Sequence, residues 1–180
     1  GDVMEIAFIN GTAGSTTMAN GILTTTGIGA VVGGTDGAAP TWAHIVNLES
    51  AVANVNAASG SLHYLTNTKV RGKLKQTVRV SSTDSRFIWE GGDLNGYGPL
   101  VSNAVPSTLT KGSASGVCSA IIFGNFADYV VGFWSGISLE LIRDTTNAKL
   151  GMHTLVANSY YDGAVMRPVS FAAMQDALTT

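Results

Sequence analysis

Cysteine is almost missing from this chain of 180 residues: Cys118 stands alone, so no intrachain disulfide can form and a small disulfide-stapled fold is excluded. Its sequence neighbours are small or apolar, which predicts a buried, inert thiol rather than a nucleophile. Charge is scarce too. Asp, Glu, Lys and Arg make up 12% of the residues, about half the ordinary share. The net charge of −2 is spread without an acidic tail or a basic arm, so the whole-chain field selects neither nucleic acid nor a membrane surface. No apolar run reaches the roughly 18 residues of a spanning helix and no secretory leader is seen, so neither membrane association nor export is expected. Asn10-Gly11-Thr12 then reads as a turn and not as a glycan acceptor.

The constellations that carry chemistry are missing as well. Gly112-Ser-Ala-Ser-Gly116 has the outline of a nucleophile elbow, but Ala114 stands where the mechanism needs a hydroxyl. His44, His63 and His153 fall in a helix, a short strand and a late strand with no local sign of a triad. Gly27-Ile-Gly29-Ala-Val-Val32 begins like a dinucleotide loop yet lacks the last glycine and a helix to present its amides. There is no Walker tract, paired-cysteine motif or His-Glu-x-x-His, so no cofactor or metal is expected. Asp128, Glu140, Asp144 and Asp162 are scattered acids of turns and surface. No catalytic residue is assigned, and the chain reads as a non-enzyme.

What is present builds sheets. Cys118 to Ile142 is a nearly continuous apolar run, broken at Gly124-Asn125, which demands burial on both faces or an apolar partner. Its aromatics Phe123, Phe126, Tyr129, Phe133 and Trp134 lack interleaved Lys or Arg, so core packing is preferred over base stacking. Strands are expected at 22–28, 62–65, 86–89, 100–102, 117–123, 129–134, 138–142, 153–158 and 164–166, with a polar loop over 103–116 and a turn at 160–163. Helices are expected up to Asn10-Gly11, over 42–57 behind Pro40-Thr41, over a short basic segment from Asn67 to about Gln76, and after Pro168, where Phe171, Met174 and Leu178 come together. Irregular alternation of strands and helices makes the class α+β with a mixed or antiparallel central sheet flanked by helices. The one charge asymmetry is Lys69, Arg71, Lys73, Lys75 and Arg79, with no acid between Glu49 and Asp84. It reads as a solvated helix face or as a contact with a neighbouring acidic surface.

In order along the chain, Phe87-Ile-Trp89, Leu94-Asn-Gly-Tyr97 with Pro99, Val105-Pro106, Ala120-Ile-Ile-Phe-Gly-Asn-Phe126, Asp162-Gly-Ala-Val165, Pro168 and Phe171-Ala172 carry a resemblance. Together they resemble the major capsid proteins of tailed double-stranded DNA bacteriophages, those with the Hong Kong 97 fold. Glu5 to Gly11 and Gly21-Ile22-Leu23 resemble the segment after that family's long spine helix. Gly98, between Tyr97 and Pro99, departs from the pattern. The N-terminal arm, the extended loop that bears the linking lysine, and most of the spine helix are expected to precede Gly1.

The resemblance implies an axial domain over 37–138, with 1–36 the end of the spine helix and a connector, both remnants of a peripheral domain. Over 139–180 it implies return strands and a C-terminal helix. It implies a structural subunit of a phage or prophage head, self-assembling as pentamers and hexamers into the icosahedral shell around the genome. Partners would be copies of itself, with scaffold, maturation protease and portal proteins, and non-specific contact with packaged DNA. Location would be the virion capsid, and the host cytoplasm during assembly. Lys69, Arg71, Lys73, Lys75 and Arg79 become candidate intersubunit or interior contacts. The rival readings are a secreted or surface glycan-binding, adhesin-type module and a small hydrolase.

Overall fold

The computed structural model describes residues 2–12, 15, 18–80, 82, 86–142 and 149–179. Elements follow in the order α1 (Asp2–Asn10), β1 (Gly29–Ala30), α2 (Trp42–Ala53), β2 (Leu62–Thr66), α3 (Thr68–Leu74), β3 (Pro99–Val101), β4 (Leu109–Lys111) and β5 (Ala114–Asn125). Then come β6 (Tyr129–Phe133), β7 (Ser138–Ile142), β8 (Thr154–Asn158), β9 (Tyr161–Val165) and β10 (Phe171–Leu178).

Strand β5 organises the body. It lies inside a six-stranded mixed sheet of order β1-β10-β5-β2-β3, with β4 paired to its opening residues. β10 and β2 run antiparallel to it, while β1 is parallel to β10 and β3 parallel to β2. Side chains alternate along a strand. Ile121 and Phe123 therefore join Tyr64, Met174 and the helix residues Ile45, Leu48, Val52, Val70 and Leu74 on one face. Ala120 and Ile122 join Leu65, Phe171, Val105, Leu23 and Ile9 of α1 on the other. Burial on both faces is what the continuous apolar run of β5 requires.

Caps set the helices that cover the first face. Thr41 Oγ1 accepts from His44 N at 3.4 Å and His44 Nδ1 accepts from Thr41 N at 3.2 Å, closing a capping box at the start of α2. Asn67, itself buried, accepts from Val70 N at 2.9 Å to start α3, and its amide donates to Pro106 O at 3.2 Å.

Some expected elements differ. The segment after Pro168 is strand β10, not the expected C-terminal helix. Ala, Met and Gln favour helix, but the segment lies between β1 and β5 and gains two ladders and burial on both faces, which outweighs that preference. A bulge separates Met174 from Ala177, and buried Asp176 accepts there from Gly33 N at 2.9 Å and Gly34 N at 3.4 Å. Residues Ile22–Thr24 form a 3-10 turn instead of a strand. Thr24 and Thr25 hydroxyls bond Gly21 O, which turns the chain back on itself. Phe87 makes only an isolated bridge to Val78, the loop over 103–116 contains β4, and the turn at 160–163 is the start of β9.

Candidate assembly surfaces

The basic segment holds no single charged face. At 3.6 residues per turn, Lys69, Lys73 and Gln76 fall about 100° to one side of buried Val70 and Leu74, and Arg71 and Lys75 about 100° to the other. The first flank lines a shallow open groove with Gly116, Val117 and Thr179. On the second, the Arg71 guanidinium lies 5.9 Å from the Trp89 ring centroid. Arg79, beyond the helix, sits 4.3 Å over Trp42 and donates from Nε to Phe87 O at 3.2 Å. Arg71 and Arg79 thus brace the fold through cation–π contacts, while Lys69 and Lys75 are exposed and Lys73 is half-buried.

Trp89 leads into a tight turn at Glu90-Gly91-Gly92-Asp93, where Glu90 and Asp93 form an isolated antiparallel bridge. Gly91 has φ 66, which suits glycine. The turn hangs between two buried side chains, Trp89 and Leu94, so both exposed carboxylates stand on a fixed base. The Leu94-Asn-Gly-Tyr97 turn after it is tied to α2. Tyr97 Oη donates to Glu49 Oε1 at 2.9 Å, Asn95 Nδ2 donates to Glu49 Oε2 and to Tyr64 Oη, and Tyr64 Oη donates to Ile45 O at 2.9 Å. Burial holds the Tyr64 phenol far above its ordinary range, and the hydrogen bond to Glu49, then burial, raises Tyr97.

A second surface is apolar. After β5 the chain leaves the sheet as one long hairpin, β6 paired with β9 and then β7 with β8. At its base Phe8 of α1 packs on Tyr129 and Tyr161, ring centroids 5.7 and 5.6 Å away. Tyr129 donates to Asn20 O at 2.9 Å and its ring crosses Gly163, where an added Cβ would come 2.5 Å from the phenol oxygen. Burial, then the Asp162 carboxylate, pushes Tyr129 up to about 12. Further out, Leu139 opposite Ala157 and Leu141 opposite Leu155 share one face. Leu139, Leu141 and Leu155 are 63%, 65% and 63% exposed, and Trp134 is 72% exposed. Phe133 and Trp134, expected in the core, are on the surface because no second layer covers the ribbon among the described residues. Beside the hairpin base, Phe8, Ile9, Leu65, Leu100, Phe126 and Tyr129 border a mostly apolar groove of about 530 Å³.

The elbow-like tract lies in the β4–β5 turn, where Asp36 Oδ1 accepts from Ser113 N at 2.7 Å, and that backbone bond lowers the Asp36 pKa. His44 closes a helix cap, and His63 bridges Ser61 Oγ and Gly98 O. Cys118 is buried, as expected. Asp144 lies outside the described residues, and among the described residues no group of His, Cys, Asp or Glu could hold a metal.

Residues 1–176 match the phage capsid family. The chain belongs to that family. A curated relative, the major capsid protein of Halomonas phage phiHAP-1, is 26% identical over 111 residues, 62% of this chain and 16% of that protein. Among solved structures, a chain of Gordonia phage Cozz has a TM-score of 0.69 at 14% identity, with 97% of this chain covering 58% of that one. The capsid of the native GTA particle has a TM-score of 0.63 at 23% identity, covering 98% and 61%. The holo-SrpI encapsulin complex of Synechococcus elongatus PCC 7942 has 0.62 at 17%, covering 99% and 62%. The fold is the Hong Kong 97 capsid fold, and the chain spans less than two thirds of the length of each of these relatives.

In this capsid-family chain the motifs that carry the resemblance have structural jobs. Gly124 of Phe-Gly-Asn-Phe faces β10 so closely that a Cβ would come 2.4 Å from Ser170 O. Asn125 Oδ1 accepts from Ser61 N at 3.1 Å and Ala127 N at 3.2 Å, which turns the chain into the hairpin. The sequence reading missed the exposed leucine face and the placement of the Glu90 and Asp93 carboxylates on one turn. The alternation Ser138-Leu139-Glu140-Leu141 is the signal that could have found the first.

Proposed function

We propose that this chain forms the body of a phage or prophage major capsid subunit, whose copies self-associate into the pentamers and hexamers of an icosahedral shell around the genome. The observation that carries the reading is family membership over nearly the whole chain. The exposed leucine ladder of β7 and β8 supports it, because contiguous exposed apolar surface marks an interaction face.

In this reading residues 37–138 are the axial domain, 1–36 the end of the spine helix and a connector, and 139–180 the return strands, ending in strand β10. Scaffold, maturation protease, portal and packaged DNA are the further partners, and the host cytoplasm is the site of assembly. Lys69, Arg71, Lys73, Lys75 and Arg79 are held as the intersubunit set, Arg71 and Arg79 acting by bracing their neighbourhood. The subunit has no catalytic role. No helix among the described residues is long and apolar enough to cross a membrane. The test is to express the complete coding sequence and image the product by electron microscopy. Closed shells or ring-shaped capsomers are expected; monomers that persist at high concentration refute the reading.

A further inference from the structure

Asparagine is followed by glycine three times, at Asn10-Gly11, Asn20-Gly21 and Asn95-Gly96. In such a pair the glycine nitrogen, with no side chain to shield it, can attack the preceding amide. We propose that Asn95 is a modification site of this protein, an amide that converts to aspartate or isoaspartate, and that Glu49 is the guard that sets the pace.

The fold separates the three pairs. Gly11 N donates to Ala7 O at 2.8 Å and Gly21 N donates to Gly11 O at 3.2 Å, so both nitrogens are engaged. Both glycines are also wedged against backbone: a Cβ would come 2.0 Å from Ala19 O at Gly11 and 2.4 Å from Gly11 N at Gly21. Gly96 differs on each count. It is exposed, nothing lies within 4 Å of its Cβ position, and its nitrogen has no hydrogen-bond partner among the described residues. The turn explains this. Leu94 N bonds Tyr97 O at 3.0 Å and Tyr97 N bonds Leu94 O at 3.1 Å, while Asn95 and Gly96, with φ 54 and 79, form the two-residue tip beyond that pair.

The reaction needs only water. Gly96 N loses its proton to solvent and bonds to Asn95 Cγ; the Cγ–Nδ2 bond breaks, and the nitrogen takes a proton and leaves as ammonia. Water then opens the cyclic imide to aspartate or isoaspartate. Glu49 opposes the first step in two ways. Its Oε2 accepts from Asn95 Nδ2, which also donates to Tyr64 Oη at 3.2 Å, so the amide is held against α2 and must let go before Cγ can meet Gly96 N. Its negative charge also disfavours the anion that Gly96 N must become.

The product cannot return to that place. A carboxylate at 95 sets a second negative charge against half-buried Glu49 and replaces the donor that Glu49 and Tyr64 Oη had. The turn then separates from α2 and carries Tyr97 with it, whose ring packs edge-on to Phe123 at 5.1 Å. Conversion at one exposed tip thus loosens the cover of a core aromatic, irreversibly and without a partner.

Ageing the purified full-length protein in mildly alkaline buffer tests this, with peptide mapping by tandem mass spectrometry to follow amide-to-acid conversion at each asparagine. Asn95 should convert faster than Asn10 and Asn20. Glu49→Ala should speed Asn95 about tenfold or more, and Tyr97→Phe, which removes the other bond to Glu49 and spares the Asn95 clamp, should stay within about twofold of the parent. Thermal melts check folding. Should the alanine variant not fold, Glu49→Gln decides, with an expected gain of about threefold from the weaker bond. Asn95→Asp, the product itself, should melt about 4 °C or more below the parent, and adding Glu49→Gln should recover most of that loss. If releasing Glu49 leaves the Asn95 rate unchanged, or speeds Asn10 and Asn20 equally, the guard is wrong. If Asn10 or Asn20 converts faster than Asn95 in the parent, the site is wrong. An unchanged melt for Asn95→Asp, or no recovery with Glu49→Gln, overturns the separation of the turn from α2.

Discussion

Asp176 shows how much one side chain can hold. Buried in the bulge of β10, its carboxylate takes the backbone N–H groups of Gly33 and Gly34, which pins the connector to the sheet. Asp176→Ala leaves those donors unanswered and should cost about 1–3 kcal/mol in urea unfolding. Two pH effects run in opposite directions. The Asp36 pKa is lowered below 3.8 by the Ser113 bond, so that contact supports the fold above pH 3.8 and is lost as pH falls through the lower folded-state value. The Tyr129 phenol is raised from 10.0 to about 12, so stability is intact below pH 10 and declines between there and about 12, as the unfolded chain ionises first. Carbon-detected NMR of the Asp36 carboxyl and ultraviolet titration of the phenols check each. Both contacts depend on residues far away in sequence, and neither Ser113 nor Asp162 identifies its partner by spacing.

Between elements, β5 and β7 lie in the same apolar run, Cys118 to Ile142, and behave oppositely in the fold. Phe123 is sealed between Tyr64 and Tyr97, ring centroids 4.5 and 5.1 Å away. Phe123→Ala should therefore cost about 3–5 kcal/mol, while Leu139→Ala should change stability by less than about 0.5 kcal/mol. Equilibrium unfolding of the two variants separates core strand from surface ribbon. At the hairpin base, Gly163→Ala should loosen the β6–β9 pairing by forcing the Tyr129 ring aside, seen as faster amide exchange along Val130 to Val165. Caps were legible where the donor and the acceptor sit within one turn, as at Thr41-His44 and Asn67-Val70. Strand β10 was not, because Phe171, Met174 and Leu178 fit a helical stripe as well as a strand, and only the neighbours β1 and β5 choose between them.

For the whole molecule, the body is covered on both faces of its sheet and the ribbon is not. Leu139→Ser with Leu141→Ser and Leu155→Ser should leave the melting of the body unchanged and reduce concentration-dependent association in sedimentation velocity. Unchanged association would show that the ribbon is not an assembly surface.

Local chemistry determined a great deal by itself: the lone cysteine as a buried thiol, the capped helices, the apolar strand at the centre, the family motifs and the absence of a recognisable catalytic constellation. Those follow from contacts within a few residues or from composition. The tertiary structure alone decided which apolar strands are buried, that Arg71 and Arg79 of the basic segment lie over tryptophan rings, and that the carboxylates at 90 and 93 stand on one turn. Burial and charge geometry depend on what lies across space, and a strand's alternation states that a face needs a partner without saying whether its own chain supplies one.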